Sequence, residues 1–213
     1  MKFYVITIQD LDESNKVADR CIASAAEFGI EVEKHWAFTP EDNEEILQHV
    51  PVHFYNREYI ERFSRYDRVV STFLSHYYLW TRSHITNTTI GILEHDSVFT
   101  APLPEIEFDK CINIGKPSFG AFSIPSSGVG PLTSKRKFPG AHAYLIKPEA
   151  ALAFMYKAQT HATSTDVFIN LDNFPWLQEL YPWPVEVQDS FTTIQKKEGC
   201  LAKHNYGLEF KII

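Results

Sequence analysis

Thr89-Ile90-Gly91-Ile92-Leu93-Glu94-His95-Asp96-Ser97-Val98-Phe99 is the stretch on which the reading of this chain turns. Its apolar run, Ile90, Ile92 and Leu93, reads as a buried strand and leads directly into Glu94, His95 and Asp96. Open α/β sheets bind ligands just beyond the carboxyl ends of their strands. Strand side chains alternate, so Glu94 and Asp96 are expected on one side and His95 on the other. Two carboxylates so placed suit a hard divalent cation, which takes oxygen ligands and shares them with a substrate phosphate. A solvated acidic turn is the competing reading, and the triplet taken alone favours it.

Upstream of this stretch, Val69 to Trp80 is a strongly apolar helix with His76 and Trp80 on one face at i, i+4. A histidine among aromatics is either a satisfied core residue or a functional one. At the start of the chain, Phe3 to Ile8 reads as a central strand, Asn15 to Phe28 as a helix stopped by Gly29, and Ile30 to Ala37 as a second strand. That order is a βαβ unit with a right-handed crossover. Arg20 in its helix is either a solvated face residue or a cation within reach of a diphosphate. Residues 39–67 read as a loop with one irregular helix covering a side of a cleft.

Downstream, Pro102 and Pro104 break the chain and Cys111 to Gly115 reads as a strand. Residues 116–139 are rich in glycine, proline and serine, and a loop of that length is usually functional or mobile. It carries Lys135-Arg136-Lys137, either a solvated tip or a lid that clamps an anion. Gly140 to Ile146 returns to strand character, and Pro148 opens an alanine-rich helix. Thr165 to Ile169, an aromatic stretch with Trp176 and Trp183, and a late strand from Pro184 to Gln188 follow.

With 213 residues, 44% apolar and 22% charged, the chain can bury a sizeable core, and disorder is set aside. The length and the lack of repeats or linkers predict one domain over 1–213. A net charge of -7 argues against broad coating of nucleic acid or anionic membrane. Cys21, Cys111 and Cys200 are scattered and odd in number, with no metal spacing or disulfide framework, which fits a reducing compartment. No run approaches the ~20 apolar residues of a spanning helix, and no signal segment opens the chain. A cytoplasmic location is expected, in the host cell if the source is viral.

Taken together the motifs resemble glycosyltransferase family 25, the lipopolysaccharide and collagen sugar transferases, and within it a compact viral or small bacterial subgroup. The resemblance rests on Phe28-Gly29-Ile30 through His35-Trp36-Ala37, on Leu74-Ser75-His76 with Leu79-Trp80, and on Leu93-Glu94-His95-Asp96. It continues through Gly140 to Ile146 with Pro148 to Ala151, then Thr165-Asp166 and Ser190 to Ile194. The family's middle acid is replaced by His95, and the chain is shorter than typical bacterial members.

The resemblance implies an α/β, GT-A-like domain with a mixed central sheet flanked by helices. It implies sugar transfer from a nucleotide-sugar donor, expected to be a UDP-sugar, to a hydroxyl of a glycan, a protein or a hydroxymethylated DNA base. Mn²⁺ or Mg²⁺ would neutralise the departing diphosphate, held by Glu94, Asp96 and His204. Donor contacts are expected from Thr7, Arg20, Ser75, His76, Glu94, Lys135 and Arg136, and acceptor contacts from Trp176 and His142. Asp166 is expected as the base that takes the acceptor proton, with a helix cap as the competing role. A buried core role is the commoner explanation for an aromatic such as Trp176, and His204 is equally open to the role of an ordinary tail residue. A nucleotide-diphosphate-sugar hydrolase and an inactive sugar-binding module are the alternatives.

Overall fold

A computed structural model describes residues 1–138, 140–188, 191–196 and 211–213, the last three without the side chains of Lys211 and Ile212. In chain order its elements are β1 (Lys2–Thr7), α1 (Asp12–Ala26), β2 (Val32–Trp36), α2 (Asn43–His49), α3 (Arg57–Phe63), α4 (Tyr66–Thr86), β3 (Ile90–Glu94), β4 (Ser97–Phe99), β5 (Cys111–Asn113) and β6 (Gly128–Pro131). They continue with β7 (Ala143–Ile146), α5 (Pro148–His161), α6 (Thr165–Phe168), β8 (Gln178–Tyr181), β9 (Val185–Val187), β10 (Phe191–Thr192) and β11 (Lys211–Ile212).

Seven strands form one mixed sheet in the order β2-β1-β3-β7-β5-β8-β6. β1 pairs parallel with β2 and β3, β7 is antiparallel to both β3 and β5, and β8 runs parallel to β5. The fold is therefore α/β with a mixed central sheet flanked by helices, the class the sequence implies.

Alternation along the strands builds the two layers. Tyr4, Ile6, Ile90, Ile92, Tyr144 and Ile146 face one core, shared with Phe73, Tyr77 and Trp80 of α4 and Phe154 of α5. Phe3, Val5, Leu93, Ala143 and Leu145 face the other, against Ala18, Cys21 and Ala25 of α1. Gly91 lies beneath the Phe3 ring, where a Cβ would come within 2.1 Å of it, so β3 carries a glycine in mid-strand. α4 is longer at both ends than the sequence pattern indicates and closes on Asn87 at φ 50°, the left-handed conformation that asparagine tolerates.

Three expectations are corrected here. Residues 39–67 hold two short helices, α2 and α3, rather than one. The glycine-rich loop contributes β6 to the sheet edge; the late strand is present where expected, as β9, and pairs with β4 in a separate two-stranded sheet. β8 lies inside the stretch read only as aromatic. Its Glu179 is a charge in a fully buried position, which hides the strand from a hydrophobicity pattern.

That carboxylate is satisfied by four donors. Thr133 N–H (2.6 Å), Thr133 hydroxyl (3.1 Å) and Ser134 N–H (2.8 Å) donate to Oε1, and the Ser134 hydroxyl (2.5 Å) donates to Oε2. Replacing it by leucine removes the acceptor and leaves the Thr133 and Ser134 donors unmatched. Glu179→Leu is expected to lower stability by about 2–3 kcal/mol, read as a lower urea midpoint at unchanged m-value.

Candidate functional site

The carboxyl ends of β1 and β3 meet the start of α1 in a short buried hydrogen-bond network. Thr7, the last residue of β1, is fully buried, and its hydroxyl lies 3.0 Å from the Ser14 hydroxyl in the first turn of α1. Ser14 Oγ accepts from Ile8 N–H at 3.0 Å and stands 2.8 Å from His95 Nδ1. The strand end carrying the acidic triplet is thereby tied to the first βα turn. Burial holds the His95 ring below its ordinary pKa against the opposing pull of Asp96.

β3 ends at Glu94, so the alternation expected to place Asp96 beside it stops there. His95 and Asp96 lie in a turn, and the Asp96 charge acts on the α1 side. Burial, with Asp96 adding to it, pushes the Cys21 thiol up to about 12. The Asp96 carbonyl accepts from Gln188 N–H at 3.0 Å, and Arg20 donates to the Gln188 carbonyl at 2.7 Å. Asp96 Oδ1 and Arg20 Nε are buried with no hydrogen-bond partner among the described residues.

Glu94 belongs to the α4 side. Its side chain, 28% exposed, places Oε1 3.3 Å from Nε2 of the fully buried His76. The other ring nitrogen lies 2.8 Å from the Tyr144 hydroxyl, to which Trp80 Nε1 donates at 2.8 Å. Burial, helped by nearby His35, lowers the His76 pKa to about 3, so the ring is neutral at pH 7. Its neighbour Ser75 accepts from Phe38 N–H at 2.9 Å and donates to the Ser71 carbonyl at 2.8 Å. That hydroxyl pins the segment after β2 to α4.

His142 lies between the two sides. Its carbonyl accepts from Glu94 N–H at 2.8 Å and from the Ser97 hydroxyl at 2.7 Å. Its ring is packed against two glycines: a Cβ on Gly115 would come within 2.3 Å of Nε2, and one on Gly140 within 2.8 Å of Nδ1.

Asp166 stands at the second position of α6 with Ser164 as the capping residue. Its Oδ1 accepts from Val167 N–H at 2.9 Å. Burial raises its carboxyl above the usual range, opposed by the Val167 and Ser164 hydrogen bonds and by Lys137. The base candidate and the basic loop are thus neighbours, since Asp166 also acts on Lys135. Both cations of the expected diphosphate clamp have partners within the protein. Lys135 donates to the Phe119 carbonyl and lies over its ring at 4.1 Å, and exposed Arg136 forms a two-pronged pair with Asp172.

Trp176 departs most from expectation. It precedes β8, stacks on Phe154 at 5.8 Å and carries Lys110 over its ring at 5.4 Å. Lys110 precedes β5, so Trp176 sits at the amino edge of the sheet, opposite Glu94, and does not join the carboxyl-edge group. His204 lies outside the described residues. Among the described residues no three His, Cys, Asp or Glu side chains come together to hold a metal ion. The buried, unspent oxygen of Asp96 is the feature there that fits a cation.

A cavity of about 730 Å³ opens at the opposite edge, lined by Thr89, Glu105, Glu107, Asp109, Lys147 and Gln178 among others. It adjoins the amino ends of the strands, whereas the buried polar groups converge at their carboxyl ends, where sheets of this class place ligands.

No family model matches the chain, and no curated protein matches it. Among solved structures it is distantly similar to the CTP:phosphocholine cytidylyltransferase LicC of Streptococcus pneumoniae. Identity is 11%, 86% of this chain and 91% of that chain are covered, and the TM-score is 0.38. A likeness of that size carries no conclusion about the reaction. No described helix is long and apolar enough to cross a membrane.

Sequence reasoning missed Ser14, His35 and Tyr144 as parts of this site. Ser14 was hidden in the polar segment after the first strand, and Tyr144 reads as one more core aromatic. His35, at the end of β2, stacks on Tyr78 with centroids 5.3 Å apart, and its Nε2 is buried without a hydrogen-bond partner among the described residues. Burial, with Arg82 contributing, lowers its pKa from 6.5 to about 4. The unfolded chain therefore binds a proton that the folded chain refuses as pH falls below 6.5. Stability present above pH 6.5 is expected to drop by about 1.4 kcal/mol per pH unit down to pH 4 on account of this one ring. His35→Gln should flatten that acid slope in a thermal-melt series; an unchanged slope contradicts a buried neutral His35.

Proposed function

We propose that this chain transfers a sugar from a nucleotide-diphosphate donor to an acceptor hydroxyl, as the resemblance to glycosyltransferase family 25 implies. The observation that carries the reading is that two buried polar networks meet one strand end, Thr7–Ser14–His95 on the α1 side and His76–Glu94 on the α4 side, with Asp96 in the turn that follows. Polar groups held by buried partners at that edge support reading it as a ligand site over a solvated turn.

Asp96, whose Oδ1 is buried and unpartnered among the described residues, is with His204 the group that would hold Mn²⁺ or Mg²⁺, and the cation would supply charge neutralisation for the leaving diphosphate, while Glu94, on the α4 side, would meet the donor. The protein's own part is to bind and orient. Glu94 is set by the core histidine, and Thr7 and Ser14 fix the βα turn that a donor would approach. Arg20 braces the segment at Gln188 behind Asp96. Asp166 would take the acceptor proton, and a carboxyl raised by burial is better matched to that task at neutral pH than an ordinary one. Lys135 and Arg136 would reach a diphosphate only by leaving Phe119 and Asp172, and His142 serves as the packed wall between the two sides. The acceptor stays within the classes already named, a glycan, a protein or a modified DNA base.

Incubation with labelled UDP-sugars and Mn²⁺, with and without acceptor mixtures, tests the reading. Transfer that requires an acceptor is expected; full turnover without one assigns a hydrolase instead, and sugar binding indifferent to nucleotide and metal assigns a binding module. Asp96→Ala should lose about a hundredfold or more of turnover with folding intact. Asp166→Asn should lower kcat by about 10²–10⁴-fold in the folded fraction, whereas a purely helix-starting Asp166 would leave kcat nearly unchanged.

A further inference from the structure

The buried chain Trp80–Tyr144–His76–Glu94 has one consistent arrangement of protons, and it assigns roles to two residues outside the expected site. Trp80 Nε1 can only donate, so it fills a lone pair of the Tyr144 oxygen. The Tyr144 proton then has one partner in the chain, His76 Nδ1 at 2.8 Å. With Nδ1 accepting, the neutral ring carries its proton on Nε2, directed at Glu94 Oε1. The opposite tautomer would set the Nε2 lone pair against a carboxylate oxygen at 3.3 Å and take from the Tyr144 proton its acceptor in this line. A doubly protonated ring is opposed by complete burial.

We propose that Trp80 and Tyr144 are positioning residues: they lock His76 in the Nε2–H tautomer, and through it fix the Glu94 carboxylate at the mouth of the site. The consequence for donor binding rests on the nucleotide-sugar reading; the proton arrangement does not. An outer hydrogen bond of this kind governs which way an acidic ligand points and how strongly it binds. Tyr144 contributes through a single atom, because its ring is core packing that phenylalanine would reproduce.

Two measurements on the full chain test this separately. Long-range ¹H–¹⁵N spectra of the histidine rings at pH 7 are expected to show His76 with a bare Nδ1 and a protonated Nε2 in the wild type. They should show a mixture of tautomers in Tyr144→Phe. A wild-type His76 protonated on Nδ1, or on both nitrogens, overturns the proposal without use of any variant or ligand. Calorimetric titration with UDP and Mn²⁺ then reads the consequence. Tyr144→Phe is expected to weaken binding about tenfold or more. His76→Gln keeps a donor at the Nε2 position and should bind better than His76→Asn. Equal affinities for folded wild type and Tyr144→Phe overturn the positioning role. A wild type that binds no nucleotide overturns the donor reading alone, since the ring spectra still decide the relay.

Discussion

The hydrogen bond between His76 Nε2 and Glu94 is the interaction on which the arrangement of the site depends. A carboxylate at the end of a central strand is usually free to turn to water. Here one of its oxygens is met by a ring that is itself fixed by the Tyr144 hydroxyl and by a helix packed across the sheet. The constraint is one of polarity: a buried imidazole, phenol and indole must each find a partner or cost stability, and they satisfy one another in a line ending at the surface. The helix–sheet packing and the site geometry are therefore set by the same contacts.

On the opposite face the same strand end is secured differently. His95 turns towards α1 and joins Ser14 and Thr7, so residues 94 and 95 are tied to two different layers. The sheet edge is clamped from both sides at its carboxyl end. The amino end, with its acidic rim at Glu105, Glu107 and Asp109, has a cavity but no comparable convergence of buried polar partners among the described residues.

The central strands were legible in the sequence because β1, β3 and β7 are buried on both faces and read as continuous apolar runs. The opening βαβ unit followed from Gly29 and the helical spacing before it. The edge of the sheet was not legible. β6 is Gly-Val-Gly-Pro, whose strand state is set by its partner β8, and β8 contains a buried Glu179 that only long-range donors explain. Within the site, alternation correctly separated Glu94 from His95. It failed for Asp96 because the strand stops one residue too early for the rule to apply. Trp176 illustrates the other limit: composition identifies an aromatic able to stack on a sugar, but only topology shows which edge of the sheet it occupies.

The central claim is that the carboxyl edge, not the amino-edge cavity, receives a nucleotide diphosphate. Chemical-shift mapping of the isotope-labelled chain during titration with UDP and Mg²⁺ tests it most directly. The account predicts shifts concentrated at Thr7 to Ser14, Glu94 to Ser97 and the start of α6. Shifts confined to Leu103 to Asp109, or none at millimolar nucleotide, would contradict it.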